Sequence, residues 1–519
     1  MIVNRSMYPI QAGFSAVSKL QESLGRLETQ LGTGKKAGTL AEMGKDRSYS
    51  LSIREQLNRF TGYGNTMDTV NLRLSMLNNS LQRLDEIEGD TRISMTPNAY
   101  GDDGLNLVSI PKQARARLDE VITLLNTSAN GRYLLGGNRT EQAPLPSIDE
   151  LLNGVGGRAG FATVVNERNS ADLGADHMGR LTVGTSSDAG PPATSTVTLA
   201  EDGVHPFGFK ISTVSDTSDA IDWTVATASP STPGSLGVTF TDQPKAGETV
   251  TIGLTLPDGT TTSLTLTASN EDPKGPHAFK IGADIDETAA NFAAVLKNSI
   301  QGDSGTPKLD VGIANTELKT ASSFAAANNF FNGQGEPILR VSGSPPETAT
   351  SLRVGTASDT VQWYSGEDSA DPRRTVGAKI DEGTRVDYGV QANEKGFAEL
   401  MRTLAVATVT TYPTDDDTSK GRYDALALRQ MSKLSESHNG EDGSIEIVAT
   451  ELGIAQNTIG KVTDRQKAFS AQLNTMLETS ESVTPEQVAM ELLAVKTRLE
   501  ASYAAMASIS QLSLANYLK

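Results

Sequence analysis

Cysteine is absent from all 519 residues. No disulfide can staple this chain, and no thiolate can hold a metal or attack a substrate. Two kinds of protein fit that absence: one kept in a reducing cell interior, and one that crosses a narrow channel unfolded and must avoid wrong disulfides outside. Positive charge is also in short supply. Lys and Arg number 45 against 63 Asp and Glu, the net charge is −18, and no basic block occurs. The expectation is no nucleic-acid partner and no attraction to an anionic membrane. No run of about eighteen apolar residues exists, so membrane insertion is not expected either. Met1–Pro9 lacks the apolar stretch of a secretory signal, so the chain is expected to carry no cleaved leader. Aromatics make up only 5% of the residues, which leaves a thin, mainly aliphatic core.

Residues that carry chemistry are equally sparse. The histidines are His177, His205, His277 and His438, and no two lie four apart as a helical metal pair would require. Gly32-Thr33-Gly34-Lys35-Lys36 resembles a phosphate loop but fails it. Thr29 stands where the first Gly should be, and Lys36 where Ser or Thr should be. Asp415-Asp416-Asp417 lacks the alternating ligands, central Gly and terminal Glu of a calcium loop, and reads as a solvated acidic loop. A Gly-x-Ser-x-Gly elbow does not occur, and no carboxylate pair suggests an acid and a base. The expectation is no catalytic residue, no cofactor, no metal and no enzymatic activity.

Periodicity is what the chain has. Ile445, Val448, Leu452, Ala455, Ile459, Val462, Gln466, Phe469, Leu473 and Met476 step by three and four, and only Gln466 is polar. That spacing is a helical seam with period 3.5. Val17, Leu20, Leu24, Leu27 and Leu31 form a shorter seam near the N-terminus. After the Gly-rich break at 32–38 come Ile53, Leu57, Phe60, Met67, Val70, Leu74, Leu77, Leu81 and Leu84, then Ile110, Ala114, Leu118, Val121 and Leu125. Val488, Leu492, Val495, Leu499, Tyr503 and Met506 close the series. Thr484, Pro485 and Gln487 supply a cap, a first-turn proline and a capping-box partner for it.

The middle changes period. Ile221, Trp223 and Val225 alternate with polar residues, as do Leu236, Val238 and Phe240. Val250 to Leu256, the turn Pro257-Asp258-Gly259, and Leu264 with Leu266 read as a hairpin. Asp286–Ile300 is the one helix expected there, and 185–198 and 228–237 read as surface loops. Phe209-Lys210-Ile211 and Phe279-Lys280-Ile281 echo each other and suggest two similar subdomains. Helix resumes near Glu394 and again over 422–436. The fold class expected is α + β: a long antiparallel helical bundle or coiled coil made by both chain ends, around a β-rich insertion. The boundaries are 1–45 for an N-terminal assembly helix and 46–140 for half of a helical rod. The insertion takes 141–390, the second half-rod 391–482, and a C-terminal assembly helix 483–519.

Both ends resemble the flagellin superfamily. The residues that carry this are Leu24, Leu27 and Leu31 with the turn Gly32-Thr33-Gly34-Lys35-Lys36, then Leu81-Gln82-Arg83-Leu84. At the other end they are Glu451-Leu452-Gly453 with Asn457, and Leu512-Ser513-Leu514-Ala515-Asn516-Tyr517-Leu518. Within the superfamily, Gly131-Arg132-Tyr133-Leu134-Leu135-Gly136-Gly137-Asn138-Arg139-Thr140, Trp363-Tyr364-Ser365-Gly366-Glu367, and Ala501-Ser502-Tyr503 with Ser510-Gln511-Leu512-Ser513-Leu514 are similar to the hook–filament junction proteins. The length of the middle is closer to filament flagellins. The resemblance implies a structural subunit of the bacterial flagellum, exported unfolded by the type III pathway and located outside the cell. Its partners would be itself, neighbouring hook-associated proteins or flagellin subunits, and the export apparatus with a chaperone. The assembly interface would be Val17, Leu20, Leu24, Leu27, Leu31, Val488, Leu492, Val495, Leu499, Tyr503 and Met506. A competing reading is a carbohydrate-binding or enzymatic module on the middle, with Trp223, Trp363 and Tyr364 as stacking aromatics; a generic coiled-coil scaffold is a third.

Overall fold

The seams are helical. The computed structural model describes residues 8–100, 106–272, 275–302, 312–413 and 416–517, and these form an α + β fold. The helices are α1 (Tyr8–Thr33), α2 (Arg47–Ser94), α3 (Ile110–Leu125), α4 (Ile148–Asn153), α5 (Phe161–Leu173), α6 (Ile285–Gln301), α7 (Lys319–Phe330), α8 (Lys395–Val409), α9 (Asp417–Lys433), α10 (Ile445–Glu481) and α11 (Pro485–Tyr517). Asp415 and Leu518 from the motifs above lie outside the described residues, as do the side chains from residue 510 onward.

Two compact units divide the chain. The smaller takes Met1–Asn71, Ala378–Val386 and Asn457–Lys519; the larger takes Leu72–Gly377 and Asp387–Gln456. Helices α2 and α10 contribute residues to both.

In the smaller unit α1 packs along α11. Gly13 lies against Met506, Gln21 Nε2 donates to the Tyr503 hydroxyl at 2.7 Å, and Gly34 accepts from the Val483 amide at 3.0 Å. One set of numbers rises as the other falls, so the two helices are antiparallel. The α2 and α10 segments of this unit are also antiparallel: Arg54 reaches Glu481 at 2.8 Å, and Thr463 reaches Met67 Sδ at 3.4 Å. Of the long α10 seam, Ile459, Val462 and Gln466 are buried in this unit. The ladder then opens, and Phe469 and Met476 are exposed.

The larger unit holds two four-stranded sheets. One runs Leu181–Asp188, Thr194–Glu201, Ser235–Phe240, Ile221–Ala226 in spatial order and is antiparallel throughout. The other runs Ala278–Lys280, Thr261–Ser269, Thr249–Thr255, Lys210–Asp216, with a parallel pair at its first edge. Both close over one core with α6, where Phe240, Phe279 and Phe292 meet edge to face. Alternating burial of Leu236, Val238 and Phe240 follows from the period of two. Asp284 caps α6 by accepting from the Glu287 amide at 2.8 Å.

Three expectations about the middle change. The two Phe-Lys-Ile echoes sit at opposite edges of a single sheet and share one core. The segment 185–198 is largely strand, paired residue by residue from Thr185↔Val197 to Asp188↔Thr194. Its Ser and Thr mimic a loop, yet β-branched Thr suits an exposed strand surface. Helices α4, α5 and α7 stand where no helix was expected. Helix α7 is buried almost all round, from Thr320 to Ala327, so it shows no amphipathic stripe. Helix α9 starts at Asp417, earlier than expected, because Asp416 caps it through the Ser419 amide at 2.7 Å.

Candidate assembly surface

The smaller unit places all eleven expected interface residues on α1 and α11, in two roles. Val17, Leu27, Val488 and Leu499 are buried, and Leu20, Leu24, Leu492, Val495 and Met506 are half-buried. These stripes face each other within one chain, as i, i+3, i+4 spacing on two antiparallel helices dictates. Leu31 and Tyr503 are exposed, at 43% and 44%. The buried part of the stripe holds the pair together and is already covered.

Uncovered apolar surface lies elsewhere in the same unit, on α1, α2, α10 and α11. Phe14, Met490 and Leu493 are 63%, 64% and 63% exposed, and Leu51, Phe469, Met476 and Ile509 are also exposed. On α11 the outward positions Met490, Leu493, Thr497, Ala501, Ala504 and Ser508 recur at steps of three and four and carry no charge. Thr497 and Ser508 turn their hydroxyls onto the carbonyls of Leu493 and Ala504 at 3.0 Å. Even the polar members of the face therefore present mainly carbon. A helix apolar on both faces is normally covered on both, and α1 covers only one. The adjacent pair Leu492-Leu493 was the signal for this second face, since neighbours one apart point about 100° away from each other.

The Gly-Thr-Gly-Lys-Lys turn holds the two chain ends together. Gly34 adopts φ +69°, which glycine reaches without strain. That turn lets Lys35 bridge Ser482 in antiparallel fashion, with the Lys36 amide donating to Glu481 O at 2.7 Å. Gln30 Nε2 donates to Lys36 O at 2.6 Å and fixes the loop. Next to it, Glu481 takes both Arg54 Nη2 contacts, at 2.9 and 2.8 Å, and a short bond from the Ser50 hydroxyl. Burial alone would raise this carboxyl. The Ser50 and Arg54 donors outweigh that and hold it below the usual carboxylate range.

The stretch Ala378–Val386 braces the same unit. Gln466 donates through Nε2 to Ile380 O at 3.0 Å, Arg59 pairs with Glu382 at 2.9 Å, and Arg465 pairs with Asp381.

The residues weighed for chemistry do not converge. In the larger unit, His205 bonds Asp202 at 2.6 Å, His277 bonds Ser299 at 2.8 Å, and His438 bonds Glu441 at 2.9 Å. Among the described residues no group of three or more His, Asp or Glu is placed to hold a metal. Trp363 is buried and donates to Asn332 at 2.7 Å, whereas Trp223 is exposed on its strand and donates to Asp216 at 2.9 Å. No helix among the described residues is long and apolar enough to cross a membrane. No protein-family model and no curated protein matches this chain.

Proposed function

We propose that this chain is a self-assembling structural subunit of the bacterial flagellum. One observation carries the reading. The antiparallel α1–α11 pair buries one stripe of each helix and leaves a second, uncharged face of α11 uncovered. A face of that kind gains stability when a neighbouring copy covers it. Such copies would extend the helical pairing into a bundle or coiled coil through heterologous contacts. The flagellin-like motifs at both ends supply the flagellar context, and the absence of cysteine suits a chain exported unfolded to the cell exterior.

The motifs Gly131–Thr140 and Trp363–Glu367 favour the hook–filament junction, with hook-associated neighbours. The filament itself is the second reading, because the middle of the chain is large. Partners under either reading are the chain itself, flagellin or hook-associated subunits, and the export apparatus with its chaperone. No catalysis or cofactor is assigned.

The test is to purify flagella from cells that make this chain and quantify it against hook and filament proteins. A junction subunit is scarce and retained after the filament is depolymerised. A filament flagellin is the bulk of the preparation. Absence from flagella in motile cells would overturn the proposal.

A further inference from the structure

The larger unit contains a cleft, lined by both polar and apolar side chains, that the proposed assembly face does not include. Its walls come from α5, α7, the residues after α8, and the first turns of α9, and its volume is about 250 Å³. Lys319 and Arg422 both line it, and both are half-buried. Burial lowers the pKa of each, and the nearby Arg422 charge lowers Lys319 further. Arg422 Nε donates to Asn315 O at 2.8 Å, and Asp416 partly offsets its charge. Among the described residues no carboxylate forms an ion pair with Lys319. Two cations therefore line the cleft, and among the described residues no carboxylate lines it with them, which gives its walls surplus positive charge.

The same cleft also offers acceptors, two of them on α7 beside Lys319. Thr320 donates its hydroxyl proton to Thr316 O at 2.9 Å, Ser323 to Lys319 O at 2.9 Å, and Thr410 to Val406 O at 2.8 Å. Each proton is spent on the backbone, so the remaining lone pairs can only accept. Asn169, which also lines the cleft, is 8% exposed and its Oδ1 has no hydrogen-bond partner. Buried acceptors of this kind are costly when unpaired. The cleft thus offers cations for a negative charge and, beside them, acceptors for hydroxyl donors. Inorganic anions provide the first with few of the second; neutral sugars provide the reverse.

We propose that this cleft binds a polyhydroxylated carboxylate of monosaccharide size, a sugar acid. Its carboxylate sits between Lys319 and Arg422, and its hydroxyls donate to Asn169, Thr320, Ser323 and Thr410. The site is independent of the flagellar reading.

The test is calorimetric titration of the full chain with D-glucuronate, D-glucose and inorganic phosphate at one ionic strength. We expect glucuronate to bind at least about tenfold more tightly than either of the others. Lys319→Met, which removes no side-chain hydrogen bond among the described residues, should weaken glucuronate about tenfold or more while leaving the thermal melt in place. Thr320→Val, of the same shape, should weaken it severalfold. Undetectable glucuronate binding, phosphate binding as tightly as glucuronate, or unchanged affinity in Lys319→Met would each overturn the proposal.

Discussion

Gln466 interrupts an otherwise apolar ladder because a backbone carbonyl, that of Ile380, lies opposite its amide. Replacing it by Leu leaves that carbonyl unpaired but also removes a buried Oε1 that has no partner. The two effects oppose, so Gln466→Leu should cost no more than about 1 kcal/mol in urea unfolding. Gln466→Glu sets a buried carboxylate against a carbonyl and should cost on the order of 3 kcal/mol at neutral pH. In the larger unit, burial and the charges of Glu446 and Asp85 push the Glu88 carboxyl up to about 7. The folded chain then holds a proton that the unfolded chain has already released. Stability contributed by Glu88 is complete below the ordinary carboxylate range and is lost as pH rises through about 7. Glu88→Gln should therefore raise stability by roughly 1–3 kcal/mol at pH 8. That gain should shrink towards zero near pH 4, as followed by denaturant titration at each pH. A gain independent of pH would show that packing, not ionisation, was altered.

At the scale of elements, the turn after α1 and the end of α10 act as one clasp. Gly34→Val forces a β-branched residue to φ +69° and should cost about 1–2 kcal/mol, loosening the Lys35–Ser482 bridge. Amide exchange of Lys36 and Val483 should quicken in that variant before the core of α2 is affected. The depressed Glu481 carboxyl works in the opposite direction to Glu88. Its contribution is complete at neutral pH and is lost as pH falls below the ordinary carboxylate range. The melting difference between the natural chain and Glu481→Gln should narrow on acidification, and a difference that widened would refute the clasp. How far the elements could be read from sequence depended on amphipathicity. Helices with one wet face, such as α3 with its Ile110–Leu125 stripe, were legible from spacing alone. Helix α7 was not, since burial on every side erases the stripe and leaves Thr-Ala-Ser-Ser-Phe-Ala to resemble a loop. The 185–198 strand pair was hidden by its exposed Ser and Thr. The inner stripe of α1 and α11 was legible, and an antiparallel association of the two chain ends was expected; which face of α11 stays uncovered was not legible, because periodicity marks a face without naming what covers it. The outer face of α11 was missed because Ala and Thr add little to an apolar count.

For the whole molecule, uncovered apolar side chains are unevenly distributed. Among the described residues, more than half of the large exposed ones belong to the smaller unit. Its inner stripes determine whether that unit folds, and its outer face would determine whether copies join. Leu499 is buried, so Leu499→Glu should destabilise the monomer by several kcal/mol and abolish assembly as a consequence. Leu493 is exposed, so Leu493→Glu should leave the monomer intact and remove assembly alone. The most direct measurement pairs the thermal melt of purified Leu493→Glu monomer with its incorporation into flagella in cells lacking the natural chain. We predict a melt unchanged within about 0.5 kcal/mol, secretion as normal, and loss of both incorporation and motility. Normal incorporation of the Leu493→Glu chain would contradict the claim that the outer face of α11 is where copies meet.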